Sequence, residues 1–424
     1  MSSIQTLRAR LEKISSEIVL QEKLLDQLRH EKTLAQRQLN AAVDPVARLP
    51  LEISSEIFLQ CLAPFPEKRP AGDCAPLLLL NICSTWSAIA LSTPRLWSAV
   101  AIDFYYPEAL TQLLPTWLKR AGKHPLSISL RGDFHSHHIP TIVWLYREQL
   151  KELEIVHEED DRGSHDSEDE GLGILDLFGN ATPEPLPLLE TLIFCNEAGY
   201  RGLPAPQILR LLRLAPNLVN YTHTNSFLKH FGIPSEKPMH STLRTLTFGG
   251  RDNPPAPDEG ILACLLFPAL TDLAVDLHMP GCSIFAFLKQ QPTPALRGLV
   301  LGMTDYDTPD SVELHECLHL IPSLMRFQMW YPMPHYLVHI CTNLTDSSSF
   351  LPNLDTLSIH LSPFYDSDWD SVWGSLLRAV STRRIELQIE IFEKPPEDIL
   401  AAFAELAARG AKICIRSDSG EYYI

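Results

Sequence analysis

From Ile4 to Leu39 the apolar residues advance by three and four in alternation: Ile4, Leu7, Leu11, Ile14, Ile18, then Gln21, Leu25, Leu28, Lys32, Ala35 and Leu39. That is the a/d seam of a heptad repeat. The stretch holds no Pro or Gly and many Glu, Lys, Gln and Arg, so residues 1–42 predict one helix, of about 54 Å over the seam at a rise of 1.5 Å per residue. Two arrangements fit the seam, a pair of copies side by side or docking on this chain or on another protein. In a parallel pair Glu17 at g would face Glu22 at e of the second copy, and Leu24 at g widens the stripe.

Asp44 and Pro45 break the heptad, and Leu49, Ile53, Ile57 and Leu59 to Leu62 then resume apolar spacing in a short helix. After a polar, proline-bearing connection, Leu79, Ile82, Cys83, Trp86 and Ile89 line one side of a second helix, stopped by Thr93-Pro94, with Leu96 and Trp97 able to pack back on it. Residues 44–104 therefore predict a small all-helical domain, near the lower size limit for independent stability.

From there to the C-terminus the periodicity changes. The string Leu-x-x-apolar-x-apolar recurs with lead leucines at 150, 189, 218, 243, 270, 296, 324 and 354, and the last six intervals lie between 25 and 30 residues. Pro stands two residues before the lead in six of the last seven copies: Pro187, Pro216, Pro268, Pro294, Pro322 and Pro352. The spacing puts three apolar side chains on one side of a short strand, and a strand of that kind buries its face only by stacking on the next. Helical stretches are expected between strands at Gln207–Leu214, Ile261–Leu266, Ser283–Gln290, Val312–Ile321, Tyr336–Leu344 and Trp369–Val380. Ser127–Arg131 reads as an entry strand, Ile385–Ile391 as an exit strand and Asp398–Ala408 as a closing helix. The fold class expected for 105–424 is an α/β solenoid, a leucine-rich-repeat-like horseshoe of about eight to ten repeats with a parallel sheet on its concave side; with the helices before it the whole chain is α+β. The outward positions of those strands, Glu152, Glu154, Thr245, Thr247, Asp272, Asp276, Arg326, Gln328, Trp330, Ser358 and His360, are the ones that would face a binding partner. Trp330 is the expected anchor, because an aromatic on a rigid sheet buries much area with little loss of entropy.

Composition narrows the function. The net charge of −17 argues against a partner held by its phosphates, so nucleic acid is not expected. The acidic run at 157–171 reads as a solvated, disordered insertion. No signal peptide is readable, and the longest uncharged apolar stretch, Ile261–Leu270, is too short for a bilayer. A soluble protein of the cytoplasm or nucleus, without membrane contact, is expected. Nine cysteines without a Cys-x-x-Cys pair read as reduced thiols, mostly in cores.

No catalytic constellation stands out. Asp133, His135, His137 and His138 read as an exposed polar turn rather than a metal site. His315-Glu316-Cys317-Leu318-His319 has the form of a zinc-peptidase string, but it has no evident third ligand and sits in a packing helix. Neither a cofactor nor enzymatic activity is expected.

Residues Asp44 to Phe104 resemble an F-box. Leu49-Pro50-x-Glu52-Ile53-x-x-x-Ile57-Phe58 opens the motif, Ile82-Cys83-x-x-Trp86 centres it and Ser92-Thr93-Pro94-x-Leu96-Trp97 closes it. The connection Pro64–Pro76 is longer than a minimal F-box has, and Ser84 and Thr85 stand where a basic residue often follows the central Cys. The layout as a whole is similar to fungal F-box proteins. The resemblance implies binding to the Skp-type adaptor of a cullin ubiquitin ligase through Leu49, Pro50, Ile53, Ile57, Leu79, Cys83, Trp86, Leu96 and Trp97, with the repeat domain recruiting a protein target. The residues also admit Trp86 as plain core, and the chain as a repeat scaffold with no ligase connection.

Overall fold

The computed structural model describes residues 2–62, 64–65, 74–103, 107–132, 144–157, 184–196, 202–224, 227–229, 239–248, 262, 265–276, 281–291, 295–302, 311–361, 369–392 and 394–424. The polar run 133–138, the acidic run from residue 158 onward and Pro294 lie outside them, as do three of the six residues of the helix expected at 261–266, whose last residue, Leu266, instead makes a parallel bridge with Met239. The chain divides into two compact units, Met1–Ser127 and Ile128–Ile424.

The first unit begins with helix α1 (Ser2–Val43), as the heptad predicts. Three shorter helices follow: α2 (Leu51–Gln60), α3 (Leu77–Ile82) and α4 (Ser84–Leu91). Cys83 caps α4, its sulfur accepting from the backbone N–H of Trp86 at 3.4 Å. A 3-10 turn, Pro94–Trp97, brings Trp97 back into the module, where it is fully buried and its indole N–H donates to the Ala90 carbonyl at 2.9 Å. Strand β1 (Ala99–Asp103) and helix α5 (Pro107–Ala121) complete the unit. The domain expected over 44–104 is thus not wholly helical. Ala-Val-Ala-Ile-Asp is rich in β-branched residues and short of straight-chain helix formers, and it extends. Trp117 of α5 meets Trp97 edge-on at 4.9 Å, and the Arg120 guanidinium lies 4.5 Å above the Trp97 ring.

The second unit is built on parallel strands: β3 (Leu150–His157), β4 (Thr191–Asn196), β6 (Asn220–Thr224), β8 (Thr245–Phe248), β9 (Asp272–Asp276), β10 (Gly298–Gly302), β11 (Arg326–Trp330), β12 (Thr356–His360), β13 (Glu386–Ile391) and β14 (Ile413–Ser417). They pair in that order, with β2 (Leu126–Gly132) ahead of β3, and every pairing from β3 to β14 is parallel. A second, two-stranded sheet pairs β5 (Gly202–Pro204) with β7 (Phe227–Lys229). Helices α6 (Ala205–Leu214), α7 (Gly281–Gln290), α8 (Ser311–His319), α9 (Pro334–Asp346), α10 (Asp370–Thr382) and α11 (Glu397–Ala408) alternate with the strands. Strand, helix, parallel strand is the repeat the leucine spacing predicts.

Register explains the core. All eight lead leucines are buried, and the next two apolar positions form rows across the sheet. One row runs Leu246, Leu273, Leu299, Phe327, Leu357, Leu387 from β8 to β13, and the other runs Phe248, Val275, Leu301, Met329, Ile359, Ile389. Each buried side chain of this size is worth about 1.5–3 kcal/mol relative to exposure. Between repeats the backbone makes a recurrent pair of hydrogen bonds: after the six lead leucines from Leu189 to Leu324, the next residue's carbonyl accepts two N–H groups of the following repeat. Glu190 takes Val219 and Asn220, Val219 takes Arg244 and Thr245, and the series continues through Met325, which takes Asp355 and Thr356, at 2.7 to 3.0 Å.

The prolines sit in the turns that enter the strands, and side chains fasten these turns to one another. Asn217 donates to the Pro187 carbonyl at 2.7 Å, Thr242 to that of Pro216 at 2.9 Å and Asn353 to that of Pro322 at 2.9 Å. In each case the donor stands just before a lead leucine and the acceptor is the proline of the preceding repeat. Beyond α11 the chain adds β14, and residues Glu421–Ile424 then fold back along it: Ser417 donates to the Glu421 carbonyl at 2.8 Å and Tyr423 to that of Ile415 at 2.8 Å.

Truncating Leu357 to Ala should remove a fully buried side chain in mid-sheet and cost about 2–5 kcal/mol, whereas Asn353→Ala should cost about 1 kcal/mol through loss of one turn fastening. Urea denaturation of the two variants beside the wild type measures both.

Candidate functional site

Two surfaces carry the residues expected to bind partners, one in each unit. In the first, the structure separates the nine expected adaptor contacts by burial. Leu49 and Pro50 just before α2, and Ile53 and Ile57 on it, are exposed, Ile53 by 51%. Leu79, Cys83, Leu96 and Trp97 are between 0% and 2% exposed. These four build the module's own core and offer no contact surface, a correction that follows from the helix-to-helix packing they provide. Trp86 lies between these cases: its ring packs on Phe58 at 4.8 Å, and its indole N–H donates to the Asp44 carboxylate. Asp44 therefore ties the start of the module to its central tryptophan. Leu51, Leu78 and Leu91 are exposed as well, at 40% to 47%. Sequence spacing did not single them out, because where α2, α3 and α4 each begin fixes which leucines turn outward.

Several buried polar groups of this unit are satisfied internally. Ser54, wholly buried, donates to the Val46 carbonyl at 3.1 Å, Ser55 and Thr93 share a hydrogen bond of 2.8 Å, and Thr93 also donates to the Ile89 carbonyl at 2.7 Å. Helix α1 touches this module through its last turns: Arg37 donates to Asn81 at 3.1 Å and Asn40 to the Ile82 carbonyl at 3.2 Å.

In the second unit the side of the sheet away from the core rows presents three lines of residues in register. The first includes Glu152, Thr245, Asp272, Arg326 and Glu386, the second Thr222, Thr247, Ala274, Val300, Gln328, Ser358 and Gln388, and the third Trp330, His360, Glu390 and Arg416. Asp276 holds its register position opposite Gly302 at the end of β9. The expected target-binding positions are thus brought together on one face, with one exception. Glu154 is 6% exposed, accepts from Ser129 and pairs with Arg131 at 3.2 Å, so it is an internal partner and not a recognition residue. A carboxylate at a nominally outward position becomes buried here because β2 supplies a hydroxyl and a guanidinium beside it.

Charges on this face are largely matched. Arg326 reaches over Gly298 to Asp272 at 2.6 Å, two strands away. A Cβ at residue 298 would stand 2.2 Å from the Asp272 carboxylate oxygen, so the glycine is what leaves the two side chains room to meet. Nearer the C-terminus, the His360 ring stacks on Trp330 with centroids 3.7 Å apart and planes 12° from parallel. His360 also touches Glu390 at 3.2 Å and Gln328 at 2.9 Å, and Glu390 pairs with Arg416 at 2.8 Å. Trp330, His360, Glu390 and Arg416 form a continuous polar–aromatic strip across four strands, its side chains held by contacts with one another. Glu390 and Arg416 were not singled out by sequence spacing, since no leucine lead precedes β13 or β14.

The His-Glu-x-x-His string lies on α8. His315 and His319 face each other with ring nitrogens 3.0 Å apart, His315 stacks on Phe350 at 5.0 Å, and His339 of α9 stands 5.2 Å away. Glu316 points outward, exposed. Among the described residues no group of three or more His, Cys, Asp or Glu side chains is placed to hold a metal ion, and no helix is long and apolar enough to cross a membrane. Burial, then His319 and His339, pushes the pKa of His315 down, while Glu316 pulls it up. Burial lifts the thiols of Cys317 and Cys341 to about 12, which makes them packing groups and not nucleophiles.

A histidine whose folded pKa lies below its unfolded value of about 6.5 contributes fully above that pH and loses stability as the pH falls through both values. Denaturation midpoints should therefore drop more steeply below about pH 6.5 in the wild type than in His315→Gln.

No family model matches the chain, and no curated protein sequence matches it. Among solved structures, the chain is similar to the leucine-rich repeat-containing protein LegL7 from Legionella pneumophila, with a TM-score of 0.34 and 12% identity over 55% of this chain and 76% of that one.

Proposed function

We propose that this chain is a substrate-recruiting F-box subunit: the helical module grips the Skp-type adaptor of a cullin ubiquitin ligase, and the outward face of the repeat sheet selects a protein target. The observation that carries the reading is the exposure of Leu49 and Pro50 just before α2 and of Ile53 and Ile57 on it, beside a module core that is already complete without them. Apolar groups left in water at helical spacing favour a protein interface. The motif order noted in the sequence, with Leu49-Pro50 before α2 and Leu96-Trp97 closing the module, supports the choice of a Skp-type adaptor as the partner.

The target surface acts differently. Its ion pairs are internally matched, so recognition there falls to shape and to the Trp330–His360 platform more than to net charge. The polypeptide supplies no chemistry of its own in this reading; ubiquitin transfer belongs to the cullin core. It acts where that ligase acts, in the cytoplasm or nucleus.

Leu49→Asp combined with Ile53→Asp should abolish co-purification with a Skp-type adaptor. Both side chains are exposed, so the thermal transition should move little, by about 0.5 kcal/mol or less per substitution. Retained binding in the double variant, or no adaptor binding by the wild type, refutes the reading and leaves a repeat scaffold without ligase connection.

A further inference from the structure

Among the described residues nothing covers the seam of α1. Leu11, Ile14, Ile18, Leu25, Leu28 and Leu39 are all exposed, between 47% and 65%. Among the described residues, the hydrogen bonds of the helix to its own module come from its last turns, at Arg37 and Asn40, and those residues lie on the flank turned away from the seam. Docking on its own chain therefore uses one side of α1 and leaves the heptad stripe to another molecule.

We infer that α1 pairs with α1 of a second copy of this chain, in antiparallel orientation. A regular a/d seam is matched in spacing by an identical seam, so the question is direction. Parallel pairing aligns each residue with itself. It sets Lys32 against Lys32 inside the seam, Gln21 against Gln21, and Glu17 against Glu22 on both flanks. Two ammonium groups brought together in an apolar seam are strongly unfavourable.

Antiparallel pairing with Ile18 level with Gln21 of the second copy removes all three conflicts. Its layers are Leu11 with Leu28, Ile14 with Leu25 and Ile18 with Gln21, each occurring twice by symmetry. Every polar seam residue then meets an apolar one, Lys32 falling opposite position 7. On one flank Arg10 comes opposite Glu31, and Glu17 comes opposite Leu24, which accounts for the leucine that widens the stripe at g; on the other flank Arg8 comes opposite Arg29, a solvent-exposed pair whose repulsion is weak beside that of two ammonium groups inside the seam. Each module hangs at the C-terminal end of its α1, so the two modules sit at opposite ends of the pair, separated by about the 63 Å that 42 residues span. The inference does not rest on the adaptor reading, since it involves neither α2 nor the repeat sheet.

Cysteine cross-linking in the full chain tests it, because α1 contains no native cysteine. Under mild oxidation, a mixture of Leu11→Cys and Leu28→Cys proteins should give a disulfide between positions 11 and 28, mapped by mass spectrometry, whereas neither variant alone should join through its new thiol. Light scattering on the wild type should give twice the mass of one chain, and Ile18→Asp with Leu25→Asp should return it to the mass of one chain with unchanged helical circular dichroism. A wild type of single-chain mass at every concentration overturns the inference. So does a Leu11→Cys protein that joins position 11 to position 11, or a charged double variant that stays paired.

Discussion

The double hydrogen bond that passes from each repeat to the next is the constraint on which the second unit depends. One carbonyl, placed just after the lead leucine, holds two successive N–H groups of the following strand. That bond can form only if the lead leucine is already buried and the entering turn has the correct height. Proline sets the turn's backbone, and the fastening from Asn217, Thr242 or Asn353 to a proline carbonyl fixes its distance from the turn before. Period, turn chemistry and burial therefore agree at each step, and the outward residues inherit their alignment from that agreement.

This is why so much of the repeat unit was legible. Strands β4, β6, β8, β9, β10, β11 and β12 begin where the leucine spacing places them, and the helices α6, α9, α10 and α11 overlap the stretches expected from apolar spacing. What escaped are features that depend on a neighbour many residues away. His223 occupies a core row otherwise filled by apolar groups; it stacks on Phe194 at 5.1 Å and contacts the Tyr221 hydroxyl at 3.2 Å, a pairing that spacing alone does not announce. Gly298 looks like an ordinary weak point in a strand, until Asp272 and Arg326 are seen to meet across it. Strand β14 has no leading leucine or proline and is defined by its partner β13.

The helical module teaches a complementary lesson. Motif residues came in a single series in the sequence, yet the fold divides them by task. Leu79, Cys83, Leu96 and Trp97 hold the helices together; Leu49, Pro50, Ile53 and Ile57 face solvent. A run of conservative-looking apolar letters carries no mark of which side it faces; only the helix start at Leu51 and the return of Trp97 under α4 decide it. For the same reason α1 was readable as a helix while its free flank was not: the contacts of Arg37 and Asn40 with α3 settle which side remains open.

A stack of parallel strands has no inherent length, since the last one offers the same unpaired edge as every strand before it. The short return of Glu421–Ile424 along β14 answers this by running the other way, with Tyr422 bridging Arg416 antiparallel. The return thus gives part of the outer side of β14, at Ile415 and Ser417, backbone partners from the same chain, so that fewer of its N–H and C=O groups stand open to another strand.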